Sequence, residues 1–251
     1  AVLGMDEMIL RESKESNIRE YAMDIQNAGR TLLTIINDIL DLNKIESGKM
    51  EIVPVEYDVS NMVYDISQMI KTRASEKKLS FRVSVSSDIP NKLWGDDVRI
   101  RQILMNLLTN AVKYTQSGTV WFRVSLKQKS QEETGENAVL HFEVEDTGNG
   151  IKPQDMDRLF QKFERIENER NRNIEGTGLG LPITMKLLSL MDSELKVESE
   201  YGKGSVFSFD LRQRVTDETP IGDYADRIEK TKVQQNTYSE ELIMPDVNVL
   251  I

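Results

Sequence analysis

From Ile18 to Leu42 the chain repeats a seven-residue apolar pattern. Ile18, Ile25, Leu32 and Ile39 mark one position, and Tyr21, Ala28, Ile35 and Leu42 mark a second three residues later. Four heptads with this spacing restrict the segment to a long helix that packs along a seam, because only a helix brings i, i+3 and i+7 to one side. Ala22, Gly29 and Ile36 widen the seam toward a bundle-type face, while Arg19, Glu20, Asp24, Gln26 and Asn27 keep the opposite face polar. A mid-helix glycine costs about 1 kcal/mol relative to alanine, so Gly29 is expected to serve close packing. A helical bundle, and a dimeric one, is the expected form.

The segment before the seam reads as a short helix from Ala1 to Leu10 and a turn from Arg11 to Asn17. A hairpin built this way pairs helices of unequal length and leaves part of the long seam wet, at about 25 cal/mol per Å². The expectation is therefore a first helix lacking its N-terminal half. After Ser47-Gly48-Lys49 the periodicity changes. Strands are expected at Glu51 to Val59, Leu79 to Val85, Val120 to Leu126, Leu140 to Val144, Leu195 to Ser199 and Val206 to Leu211. Helices are expected at Asn61 to Ser75, from Asp96 or Asp97 to Tyr114, and at Leu179 to Met191. Gln128 to Asn137 reads as a polar loop, and Gly202-Lys203-Gly204 as a turn. Strands and helices do not alternate strictly. The expected fold class is thus α+β, an α/β sandwich with helices on one face of a mixed sheet, preceded by an α-helical hairpin. Residues 1–48 form the hairpin in this reading, 49–212 the mixed domain and 213–245 a linker. Residues 246–251 open a further strand that is cut short.

Composition narrows the functions open to the chain. It has no cysteine and a single histidine, which excludes disulfides and thiolate metal sites and argues against zinc. A formal charge of −10 argues against nucleic acid or an anionic membrane as partner. No apolar run is long enough to span a bilayer, and no signal peptide is visible, so a cytoplasmic protein is expected, or the cytoplasmic part of a membrane-anchored sensor.

Three motifs follow one another in the mixed domain. Asn106 and Asn110 are four apart on one helix, so their amides project together, and their neutral carbonyl oxygens suit a magnesium ion that takes its charge partners from phosphates. Lys113 and Tyr114, one turn on, can meet phosphate and sugar. Asp146-Thr147-Gly148-Asn149-Gly150 follows a strand: Asp146 can accept from an exocyclic amine such as adenine carries, and Gly148 and Gly150 let backbone approach the base. Alone, that stretch would be an ordinary turn. Gly176-Thr177-Gly178-Leu179-Gly180 opens an apolar helix whose amides and positive dipole end can receive phosphate; Pro182 falls within that helix's first turn. It is neither a Walker loop nor a Rossmann turn. The stretch between the glycine motifs reads as a mobile lid, with Arg165 the candidate to reach the outermost phosphate. Together these form the walls of a nucleotide pocket. Its candidate catalytic residues are Asn106, Lys113 and Arg165, and Asn110 and Asn106 are the metal ligands.

With the pair Phe160 and Phe163, the motifs of residues 50–212 resemble the catalytic ATP-binding domain of sensor histidine kinases, of the Bergerat superfamily shared with gyrase, Hsp90 and MutL. The resemblance implies ATP and Mg2+ as cofactors. In it Asn110 and Asn106 hold the metal, Asp146 reads adenine, Lys113 and Tyr114 line the phosphate and ribose side, and Gly176, Gly178 and Gly180 form the lid hinge. Residues 1–46 resemble the family's dimerisation and phosphoacceptor hairpin just beyond its His-Glu-x-x-Arg-Thr-Pro motif, which does not occur in the sequence. Val247 to Ile251 resembles the first strand of a receiver domain. The implied partners are a second copy through the hairpin and a receiver domain or response regulator. His141 lies on a strand, is not followed by glutamate, and is not the acceptor this chemistry requires, so self-phosphorylation of the chain is not expected. The alternatives are a gyrase- or Hsp90-type ATPase, which places a glutamate where Asn106 stands, and a non-catalytic ATP-sensing dimerisation module.

Overall fold

The computed structural model describes residues 2–132, 135–161 and 177–226. They divide into two compact units, one within Ala1–Glu51 and Asp157–Leu187, the other within Ile52–Met156 and Leu188–Ile251.

In the first unit the heptad segment forms the 31-residue helix α2 (Ser16–Glu46), preceded by the 11-residue helix α1 (Val2–Glu12). The two pack as a hairpin. Gly29 explains how closely they approach: a Cβ there would come within 2.7 Å of Leu3 Cδ2. Arg19 closes the turn by donating to the carbonyls of Leu10 and Ser13. Ala22 and Leu42 are buried, whereas Ile18, Ile25, Leu32 and Ile39 stay exposed. Helix α5 (Gly180–Leu190) begins in this unit.

The second unit carries a seven-stranded sheet in the order β1-β3-β7-β5-β4-β2, with β6 also paired to β7. The strands are β1 (Val55–Asp58), β2 (Ser80–Val85), β3 (Pro90–Gly95), β4 (Thr119–Glu132), β5 (Gly135–Asp146), β6 (Lys196–Glu200) and β7 (Gly204–Pro220). The β2–β4 pair is parallel and the other pairs are antiparallel, so the sheet is mixed. Helices α3 (Val59–Glu76) and α4 (Asp97–Tyr114) pack on it and on each other. Alternation on β5 buries Ala138, Leu140, Phe142 and Val144, which meet a core containing Met62, Ile66, Ile70, Ile103, Leu104 and Leu107. Phe142 stacks on Phe209 with ring centroids 5.0 Å apart. The α+β sandwich expected from the sequence is the observed class.

Several boundaries differ from expectation. The polar stretch 128–137, expected as a loop, is largely ladder: β4 and β5 pair from Val120↔Asp146 out to Glu132↔Gly135. Backbone pairing holds that arm, so no apolar alternation is needed to build it. The expected linker likewise begins too early at residue 213. Strand β7 runs on to Pro220 because its second half pairs with β3, a strand the sequence did not reveal. Tyr57 Oη donates to Gln213 Oε1 at 3.3 Å, and Gly95 leaves the space that the Gln213 side chain fills. Strand β1 is also shorter than expected. Met156 and the residues before it follow β5 through a 3-10 turn at Pro153–Asp155, and a second such turn spans Asp157–Phe160.

Candidate functional site

Helix α4 carries the paired amides, and its ends are fixed from outside. At the N-terminus Asp96 accepts from Arg99 N–H on Oδ1 at 3.0 Å and from Val53 N–H on Oδ2 at 2.9 Å. One carboxylate therefore caps the helix and holds the segment leading into the domain. At the C-terminus Lys77 Nζ donates to the carbonyls of Val112 (3.0 Å) and Lys113 (2.8 Å), placing positive charge where the helix dipole is negative. Ile100, Ile103, Leu104, Leu107, Leu108, Ala111 and Val112 are buried, which leaves Asn106, Asn110, Lys113 and Tyr114 half-buried on the remaining surface. Asn110 Nδ2 lies 3.5 Å from Asn106 Oδ1, so the amides share one face as their spacing requires. The Lys113 ammonium sits 5.0 Å from the centroid of the Tyr114 ring.

Asp146 is the last residue of β5 and continues its core-facing row, so strand alternation itself aims a carboxylate inward. It is 6% exposed and accepts from Gly148 N–H on Oδ1 at 2.8 Å. Burial pushes its pKa up to about 6, against the lowering effect of backbone hydrogen bonds from Gly148 and Ser205, and Glu145 adds a smaller upward push. The turn after it is pressed against α4: Asn149 N–H donates to Tyr114 O at 3.3 Å, and a Cβ on Gly148 would lie 2.6 Å from that carbonyl. Gly150 has φ +62°, and a Cβ there would fall on the carbonyl of Glu200, at the end of β6. The structure thus brings Asp146, Gly148 and Gly150 to the C-terminal end of the helix that carries Asn106, Asn110, Lys113 and Tyr114.

The third motif belongs to the other unit. Thr177, Gly178 and Leu179 lead into α5, which starts at Gly180. Gly178 has φ +71°, Leu179 is fully buried, and the Leu179 carbonyl accepts the first helical bond from Ile183 N–H at 3.0 Å. Gly176, Phe163 and the lid candidate Arg165 lie outside the described residues. His141 stands on the solvent-facing row of β5, with Nδ1 2.7 Å from Asp210 Oδ1 and Nε2 3.8 Å from Glu143 Oε2. Among the described residues no group of three or more His, Asp or Glu side chains is placed to hold a metal, and no helix is long and apolar enough to cross a membrane.

Residues 95–215 match the family described as "Histidine kinase-, DNA gyrase B-, and HSP90-like ATPase", a span that takes in both the amide helix and the Asp146 turn. The chain carries in those residues an ATP-binding domain of this histidine kinase-, gyrase B- and HSP90-like type. It is 37% identical over 210 residues to hybrid signal transduction histidine kinase B of Dictyostelium discoideum, covering 84% of this chain and 10% of that protein. It is 36% identical over 211 residues to the sensor protein GacS of Pseudomonas syringae pv. syringae, covering 84% of this chain and 23% of that one. The crystal structure of full-length ShkA in complex with AMPPNP is similar with a TM-score of 0.68 and 29% identity, over 86% of this chain and 43% of that chain. The chain therefore spans only a tenth to a quarter of the length of these curated relatives.

Several residues that shape this catalytic domain escaped the sequence reading. Lys77 and Asp96 anchor α4. Ser205 helps hold the Asp146 carboxylate, and Gly204, with φ +132°, lets β7 pass the Asp146 carbonyl. Thr115 ends α4 by donating to the Ala111 carbonyl at 2.7 Å. Only Asp96, an aspartate directly before a helical pattern, and Gly204, in the turn read at Gly202-Lys203-Gly204, carried a local signal.

Proposed function

We propose that this chain is the catalytic core of a cytoplasmic two-component histidine kinase: it binds Mg-ATP and transfers the γ-phosphate to a histidine on a phosphoacceptor hairpin. The observation that carries this reading is the seating of the Asp146 turn on the C-terminal end of α4, which joins a buried carboxylate to a paired-amide face. In this reading Asp146 accepts from the adenine amine, while Gly148 and Gly150 allow backbone to approach the base. Asn106 and Asn110 supply neutral oxygens for the magnesium ion, a donor set that suits a metal whose charge partners are phosphates. The ion would supply neutralisation of the transferring phosphoryl group. Lys113 and Tyr114 face phosphate and ribose. Gly176 through Gly180 form the phosphate wall and lid hinge, with Arg165 reaching the outermost phosphate. An amide at position 106 cannot deprotonate water, which disfavours steady hydrolysis of the gyrase type.

His141 is a poor acceptor because both ring nitrogens face carboxylates on a sheet surface. The acceptor must therefore be supplied on another element. The exposed row of Ile18, Ile25, Leu32 and Ile39 supports dimerisation through α2, and a receiver domain is the expected recipient of the phosphoryl group in turn. The test is calorimetry of ATP with and without magnesium, followed by transfer from labelled ATP to a phosphoacceptor hairpin added in trans. Magnesium-dependent binding with labelling of the hairpin histidine is expected; absence of ATP binding in excess magnesium overturns the proposal.

A further inference from the structure

The hydroxyl of Thr177 is committed to the hairpin. It accepts from Leu179 N–H at 3.1 Å and donates to Asp38 Oδ2, on helix α2, at 3.1 Å. A hydroxyl has one proton to give, so while it serves Asp38 it cannot serve a phosphate oxygen. Leu179, to which this hydroxyl is tied, directly precedes α5 and its carbonyl accepts that helix's first bond, and Gly178 turns the chain between them. The carboxylate of Asp38 is thus the anion presented to the glycine turn ahead of a helix N-terminus. Burial raises the pKa of Asp38, the Thr177 hydrogen bond works against that rise, and the neighbouring charge of Asp41 adds to it.

We propose that Asp38 is a positioning residue that sets nucleotide affinity: it ties down the glycine turn through Thr177 and opposes a polyphosphate there. The inference rests on the reading of that turn as the phosphate wall. An anion beside a bound polyphosphate repels it, and a hydroxyl bound to that anion has to be released before phosphate can claim it. Withdrawal of Asp38 by a shift of α2 removes both obstacles. The helix that carries the dimer seam thereby gains a lever on nucleotide binding that does not pass through Asn106, Asn110 or Asp146.

The experiment measures affinities of adenosine, ADP and ATP, each with magnesium, for the whole chain and for Asp38→Asn and Asp38→Ala. Circular dichroism and thermal unfolding establish that each variant is folded. Removing the charge is expected to tighten ATP on the order of three- to tenfold, ADP by less, and adenosine not at all, because the effect scales with the charge brought to the turn. Added salt should shrink the gain. A loss of packing alone would move all three ligands together or weaken them. Wild-type or weaker ATP affinity in both variants, or an equal change for all three ligands, overturns the proposal. Failure of the unaltered chain to bind any adenine nucleotide overturns instead the function on which it rests.

Discussion

Asp146 is asked to do two things that oppose each other. Burial at the end of β5 turns its carboxylate inward, where the proposed function has it meet adenine, and the same burial disfavours the charge, lifting the pKa from the usual 3.8 to about 6. For an acid raised in the fold, protonation stabilises the native state, so this group's contribution to stability is present at low pH and is lost as pH rises from about 4 through about 6. Nucleotide binding runs the other way, since the protonated acid is a weaker acceptor for an exocyclic amine. ATP affinity should therefore fall as pH drops through about 6, measured by calorimetry at constant ionic strength; a flat profile between pH 5 and 7.5 would remove Asp146 from adenine recognition. Asp146→Asn should weaken ATP by about tenfold or more, as expected when a charged acceptor is lost from a buried site. It should do so without lowering the melting temperature at pH 7, because the charge it deletes is one the fold tolerates at a cost. Gly150 makes the complementary case. Its positive φ and the nearby Glu200 carbonyl leave no room for a side chain, so Gly150→Ala should cost about 2 kcal/mol or more in urea unfolding.

At the scale of elements, α4 is the part on which the site depends, and it is anchored by residues that are not themselves in the site. Asp96→Ala removes the helix cap and leaves Val53 N–H without its carboxylate, so a loss of about 1–3 kcal/mol is expected, read from denaturant unfolding. Asp96→Asn keeps one acceptor oxygen and should recover part of that loss; equal destabilisation by the two substitutions would contradict the two-handed role. What the sequence disclosed and what it hid follow the same division. The heptads of α2 were legible because apolar residues recur along one side of a helix, and the apolar stripe of α4 and the alternation on β5 because each buries one face against a core. The amide pair and the Asp146 turn were legible because side-chain chemistry recurs at a spacing fixed by helix and turn geometry. Strand β3 was not, because Pro90-Asn91-Lys92-Leu93-Trp94-Gly95 opens on proline, closes on glycine and buries only part of its length. The far halves of β4, β5 and β7 were missed for a related reason. Their polar residues are held by backbone pairing, β4 with the adjoining β5 and β7 with β3 and β5, and local composition records burial, not partners. Lys77 and Ser205 reach the site from other elements, so no reading of residues 106–150 could have found them.

The largest scale at which the chain makes a testable demand is the seam of α2. Within one chain α1 covers only part of a helix nearly three times its length, and Ile25 and Leu32 remain 47% and 56% exposed. Apolar side chains recurring on one face every seven residues gain roughly 1.5–3 kcal/mol each when covered, and a second copy offers the same seam for mutual burial. The chain is therefore expected to sediment as a homodimer at micromolar concentration. Ile25→Glu and Leu32→Glu place charge in the middle of that seam, where a two-fold arrangement brings each substitution into the interface from both copies. Both variants should sediment as monomers. Because neither residue is among those read as the nucleotide site, each variant should retain ATP binding per chain within about twofold of the parent, a difference well under 1 kcal/mol. A parent chain that remains monomeric throughout, or glutamate variants that remain dimeric, would exclude the seam as the site of self-association.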